Sequence, residues 1–173
     1  YQDSTDLQIS NVIMDIIKNE APISKRLLTK KVVSGWNITR LGSRVENRLA
    51  SILQELRQGG NLNKTVVGDM SYYWRKDQNP EDYMDYRVAN EEKDKRNLED
   101  IPPYEIANAM KEIISSQISI SKNDMIRETA KIFGFSRLGA VMEAACAQGI
   151  DEAERRGYLL FDKVSERIMI RDN

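Results

Sequence analysis

Apolar residues return every three or four positions at Ile9, Val12, Ile13, Ile16 and Ile17, the spacing that lines one side of an α-helix. Thr5 and Gln8 just ahead of them have the spacing of a capping box, so the first helix is expected to begin at Thr5. Pro22 breaks the run, Ile23 predicts a single short β contact, and Ser24 is placed to cap a second helix that carries Leu27, Leu28, Val32 and Trp36. After a turn at 37–41, a third helix is expected from Gly42 with Val45, Leu49, Ile52, Leu53 and Leu56 on one side, ended by Gly59-Gly60. Residues 62–66 and 71–74, separated by Val67-Gly68-Asp69-Met70, predict a hairpin. Within it the alternation of Tyr72, Tyr73 and Trp74 gives one face to the core and leaves Tyr73 the exposed one. Helix, strand, helix, helix, hairpin is the order of a winged helix.

The same pattern is written a second time, 97 residues later. Ile16-Ile17 matches Ile113-Ile114, Ile23-Ser24-Lys25 matches Ile120-Ser121-Lys122, and Arg40-Leu41-Gly42 matches Arg137-Leu138-Gly139. Glu46 and Glu143, Ala50 and Ala147, Glu55 and Glu152, and Gly60-x-Leu62 and Gly157-x-Leu159 extend the series without a gap. In the second copy Pro102-Pro103 opens the first helix, Ser121 caps the second, Arg137-Leu138-Gly139 starts the third, and 158–161 with 167–170 form the wing. The expected fold is mostly α with small β wings, an α+β chain of two tandem winged-helix-like domains, 1–76 and 101–173. Between them, residues 77–100 hold nine acidic and four basic side chains with little apolar periodicity, and are expected to be mostly a charged linker, the alternative being a solvated helix at 82–96. Cys146 stands where the first copy has Leu49 and is expected in the core, as are the matching Trp36 and Phe133.

Asn19-Glu20-Ala21-Pro22-Ile23, Arg40-Leu41-Gly42-Ser43-Arg44-Val45 and Ile101-Pro102-Pro103-Tyr104-Glu105-Ile106 give the chain a family likeness. It resembles, over nearly its whole length, the domain of unknown function at the C-terminal end of very large bacterial superfamily-one helicase-like proteins. Those proteins often carry a restriction-endonuclease-like domain. The resemblance implies a nucleic-acid-processing parent and assigns no catalytic residue. Val141 stands where the first copy has Arg44, so a role for that arginine does not extend to the second copy.

Composition narrows the chemistry. With 173 residues, 40% apolar and 31% charged, the chain has material for one or two small cores and no apolar run long enough to span a bilayer. It opens on Tyr1-Gln2-Asp3-Ser4, without a Met or a signal pattern, and is expected to be a fragment of a larger protein. A single Cys and no His point to a reducing, cytoplasmic setting and remove zinc fingers, Ser-His and Cys-His nucleophile pairs and imidazole bases. Glu91-Glu92-Lys93 has the acidic-x-Lys form of a nuclease metal site but lies in a charge run, without a strand. No catalytic residue, metal or cofactor is expected, and the chain is not expected to be an enzyme.

The net charge of −1 hides a division. Residues 7–76 carry twelve Lys/Arg against five Asp/Glu, a net of +7, whereas 77–100 come to −5 and 101–173 to −1. On the third helix of the first copy, Ser43, Arg44, Asn47, Arg48 and Ser51 lie away from Val45, Leu49 and Ile52 and form a candidate base-reading face, with Arg40 just ahead. Lys25, Arg26, Lys30 and Lys31 on the second helix, with Lys64 on the wing, are candidate phosphate contacts. The alternative is a solvated or protein-binding face, with Glu46 and Glu55 offsetting the arginines. In the second copy Val141, Ala144, Ala145 and Gln148 take the outward positions and anchor no phosphate. Either they pack on another surface, a homodimer included, or the phase of that helix differs. The expected partners are nucleic acid, duplex DNA first, and the other domains of the parent chain, with no membrane. The competing function is a protein-interaction module that assembles or regulates the parent.

Overall fold

The computed structural model describes residues 2–36 and 41–172, with side chains from Thr5 onward. Among these the protein is α+β, with six helices and two three-stranded antiparallel sheets. The chain divides into two compact units, Tyr1–Asp82 and Tyr83–Asn173.

Unit one runs α1 (Gln2–Glu20), β1 (Ile23–Ser24), α2 (Lys25–Ser34), α3 (Ser43–Gln58), β2 (Leu62–Val67) and β3 (Met70–Arg75). The isoleucine stripe of α1 buries Ile9, Ile13 and Ile17 against Leu28 and Val32 of α2 and Leu49, Ile52 and Leu53 of α3. The helix begins at Gln2, so Thr5 lies inside it rather than at its cap. Apolar periodicity marks the buried length of a helix, and here a polar turn extends beyond it.

Two aromatic residues depart from expectation. Tyr73 is only 4% exposed, because β3 is the central strand of the order β1-β3-β2 and Tyr73 packs into the core with Ile23 and Leu62. Tyr72 and Trp74 are buried as well, and Trp74 Nε1 donates to Thr65 Oγ1 at 2.9 Å. Trp36 is 37% exposed, since α2 stops at Ser34 and Trp36 follows the cap residue Gly35 on no helical face. Phe133 reaches the core as expected, because its helix runs one residue further, to Ile132.

Unit two runs α4 (Pro103–Ser115), β4 (Ser119–Ser121), α5 (Lys122–Ile132), α6 (Ala140–Arg155), β5 (Leu159–Asp162) and β6 (Arg167–Ile170), with sheet order β4-β6-β5. The order of elements repeats that of unit one, and α3 and α6 begin and end 97 residues apart. Local devices repeat too. Ser24 and Ser121 cap α2 and α5 by accepting from the amides of Leu27 and Asp124, both at 3.1 Å. After the third helix Gly60 and Gly157 take φ of +71° and +75°, a left-handed turn glycine enters without strain, and the amides of Asn61 and Tyr158 close it on the carbonyls of Leu56 and Ala153 at 2.9 Å. The offset changes only inside the wing. Lys64 pairs with Tyr73 in one ladder and Phe161 with Ile168 in the other, so the second hairpin is two residues shorter.

Residues 83–100 form neither a long helix nor a detached linker. Apart from 3-10 turns at Glu92–Asp94 and Leu98–Asp100 they form neither helix nor strand, and they pack on α4. The anchor is Glu105 of α4, fully buried, which accepts from Arg96 at 2.7 and 2.9 Å and from the Arg87 amide at 2.8 Å. Asn108 donates to the carbonyls of Tyr83 and Asp85, the Tyr86 ring meets Phe133 edge-on at 5.9 Å, and Leu98 enters the core. Charge density suggested solvation, but the carboxylate that satisfies these residues comes from the next helix. With core on one side and this strap on the other, every residue from Pro103 to Met110 is buried. Gly149 of α6 lets α4 approach closely, since a methyl group there would collide with Ile106. Among the described residues no helix is long and apolar enough to cross a membrane.

Candidate nucleic-acid interface

The basic surface of unit one is built by two helices and the wing. Burying Leu28, Val32 and Val33 turns Lys25, Arg26 and Lys30 of α2 outward. Burying Leu49, Ile52 and Leu53 gives α3 a face that carries Asn47, Ala50, Gln54 and Arg57 toward α2 and the hairpin. Between them lies a groove of about 750 Å³, lined by Lys25, Arg26 and Lys30, by Glu46 and Asn47, and by the hairpin turn at Asp69. A second pocket of about 580 Å³ shares Lys25 and Ala50 with it and continues along α3 to Gln54, Arg57, Gln58, Lys64 and Tyr73.

The sequence-predicted residues divide. Lys25, Arg26, Lys30 and Asn47 line the groove, and Lys64 lines the adjoining pocket. Ser43, Arg44 and Ser51 are exposed on α3 outside both cavities, with the Ser51 hydroxyl 3.5 Å from Glu55. Arg48 faces α1, where its Nε donates to Asp6 at 2.6 Å, and Lys31 bridges to Glu20 at 2.8 Å. Both cations are therefore partly neutralised by carboxylates of the first helix. Arg40 lies outside the described residues.

Arg57 was not foreseen, nor were Gln54 and Gln58. The signal was present, since Asn47, Ala50, Gln54 and Arg57 stand three, four and three residues apart, the line of one helical face. Tyr73 forms part of the floor. Burial raises its phenol above the ordinary value while the positive charge of Arg57 acts the other way, so at neutral pH the hydroxyl keeps its proton and is a donor.

The corresponding place in unit two is filled from within. Lys122 stands where unit one has Lys25, Glu154 where it has Arg57, and Phe161 where it has Lys64. Glu154 accepts from the Phe161 amide at 2.8 Å, and Lys122 Nζ lies 5.4 Å from the Phe161 ring centroid. On α6, Val141, Ala144 and Gln148 take outward positions and are exposed rather than covered, and Ala145, expected on the same side, is only 8% exposed and belongs to the core. Four residues before Gly149, it lies on the side drawn toward α4. Cys146 is buried in the same core, which pushes its thiol up to about 12.

One comparison bears on this surface. Residues 1–47 match the family model described as a protein of unknown function (DUF3320). The match takes in α1, α2 and the first residues of α3, including Lys25, Arg26, Lys30 and Asn47 of the groove. No curated protein and no solved structure matches the chain. Elsewhere, Lys93 of the acidic-x-Lys triplet pairs with Glu91 at 2.7 Å beside a 3-10 turn, and no cluster among the described residues has three groups placed to hold a metal.

Proposed function

We propose that unit one is a non-catalytic nucleic-acid-binding module of a larger cytoplasmic protein, of the bacterial helicase or nuclease type that the sequence resembles. The observation that carries this is the union of Lys25, Arg57 and Lys64 in one pocket without a lining carboxylate, beside a groove that adds Arg26 and Lys30. Such a surface attracts phosphates, with duplex DNA the expected ligand, and α3 supplies Asn47 toward base edges. Unit two supports a second role. Exposed Val141 and Ala144 on α6, together with its filled pocket, suit contact with other domains of the parent chain or a second copy.

The experiment is a fluorescence-anisotropy titration of the chain with duplex DNA at two salt concentrations. With four or five phosphate contacts, log affinity falls by about 0.9 per contact for each decade of salt, so binding is visible at low salt and weak near physiological salt. No binding to duplex, single-stranded or RNA ligands at low salt would move the assignment to a protein-interaction module.

A further inference from the structure

The groove and the pocket that adjoins it in unit one differ in electrostatic character. The larger groove has Glu46 and Asp69 among its cations, whereas the pocket at Lys25, Arg57 and Lys64 has no carboxylate in its lining. Among the described residues none of these three cations is paired with an acid. Tyr73 adds an independent sign. Its side chain is almost wholly buried and lines the pocket, and its hydroxyl has no hydrogen-bond partner among the described residues. An unpartnered phenol donor in the wall of the pocket, beside three unpaired cations and the carboxamides of Gln54 and Gln58, is an arrangement that an oxyanion completes. In unit two the equivalent cations are replaced or satisfied by Glu154 and Phe161, so the fold itself does not require the opening.

We propose that this pocket is a seat for a phosphomonoester, specifically the terminal phosphate of a nucleic-acid strand. The inference rests on the nucleic-acid function proposed for unit one and narrows it from backbone attraction to recognition of a strand end. Charge decides between the two kinds of phosphate. An internal phosphodiester brings one negative charge, whereas a phosphomonoester brings about 1.5 to 2 and three acceptor oxygens. Three cations and a phenol donor match the latter.

The test compares binding of the full chain to duplexes of one sequence bearing 5′-phosphates, 3′-phosphates or neither, alongside a covalently closed duplex circle. A terminal phosphate at one of the two ends is expected to tighten binding about tenfold at pH 7.5. That advantage should shrink toward pH 5, because the second ionisation of a phosphomonoester lies near pH 6. Facing it are Lys25 from α2, Arg57 from α3, Lys64 from β2 and Tyr73 from β3. Arg57→Glu with Lys64→Phe, the side chains of unit two, and separately the milder Tyr73→Phe, should bring the ratio between phosphorylated and unphosphorylated duplex toward one. Lys163→Gln, in unit two, should leave the ratio unchanged. Equal binding of all linear duplexes overturns the proposal. If inorganic phosphate then still shifts the amide resonances of Lys64 and Tyr73, the pocket takes free phosphate and the strand end is excluded as its source. Binding of the closed circle without preference for ends sinks this seat while leaving the nucleic-acid function standing, and loss of all binding removes both.

Discussion

Between the second helix, the third helix and the first wing strand, the two units treat charge in opposite ways. Unit one gathers Lys25, Arg57 and Lys64 around a cavity. Unit two keeps the lysine as Lys122 but sets it over the Phe161 ring and turns Glu154 to the strand backbone. The helices, caps and left-handed glycine turns that create the place are the same. A duplicated scaffold can therefore retain its geometry while two side-chain exchanges change its charge, from a place that gathers cations to one where a carboxylate and an aromatic ring engage their neighbours. The opposite trade occurs on the first helix. α4 of unit two holds buried Glu105 and accepts a strap, whereas α1 has an exposed Gln8 at that position.

This contrast can be broken by moving one unit's residues into the other. The largest effect is expected from Glu105→Gln, which gives α4 the side chain of α1. Removing one partner of a buried pair leaves Arg96 uncompensated and should destabilise unit two by about 3 to 5 kcal/mol, with little change in unit one. Hydrogen exchange resolved by segment checks it, and undiminished protection of α4 would show that the strap is not held by this pair.

Next in size is the packing exchange at matched positions. Ile52→Ala opens a cavity in unit one and should cost about 2 to 5 kcal/mol. Gly149→Ala forces a methyl group into Ile106 and should cost about 1 to 3 kcal/mol in unit two, although alanine is the better helix former. A stabilised Gly149→Ala variant in thermal unfolding would mean that α4 and α6 separate readily.

A smaller and symmetric effect is expected at the caps. Ser24→Ala and Ser121→Ala should each cost about 1 kcal/mol through loss of the cap, because each hydroxyl accepts from an amide of the first helical turn at 3.1 Å. Unequal losses in denaturant titrations would show that the shared geometry hides different local support.

The smallest effect separates two neighbouring lysines. Lys30→Ala should lower the salt slope of duplex binding by up to about 0.9, whereas Lys31→Ala should change it less, because Lys31 already bridges Glu20. Equal changes in slope would indicate that the bridge opens on binding.

What the chain disclosed about itself followed from periodicity and punctuation. The third helices were legible because five apolar positions on one face and flanking glycines fix both phase and ends, and the 97-residue offset then carried the assignment to the second copy. Tyr73 was misjudged because alternation tells which residues share a face, not that β3 would be flanked on both sides. Trp36 depended on a helix ending two residues earlier, which local pattern does not set. Residues 83–100 looked like a solvated linker because their partner, Glu105, belongs to α4 and only folding brings it near. On the candidate surface, helix phase placed Asn47 correctly, but the outward positions included Arg48, which α1 claims through Asp6. Arg57 was left out because the base-reading face was drawn only as far as Ser51, short of the end of α3 where Arg57 stands.

Both tryptophans, Trp36 and Trp74, lie in unit one, while the sole cysteine, Cys146, is enclosed in unit two. Each half thus carries its own native probe. Indole fluorescence follows the melting of the first unit, and alkylation of the thiol proceeds only when the second unit opens, because its core shields the sulfur and keeps it protonated. Recorded together on unlabelled protein, the two signals would reveal whether the halves unfold as one transition or as two, and whether a ligand that steadies the first is felt by the second.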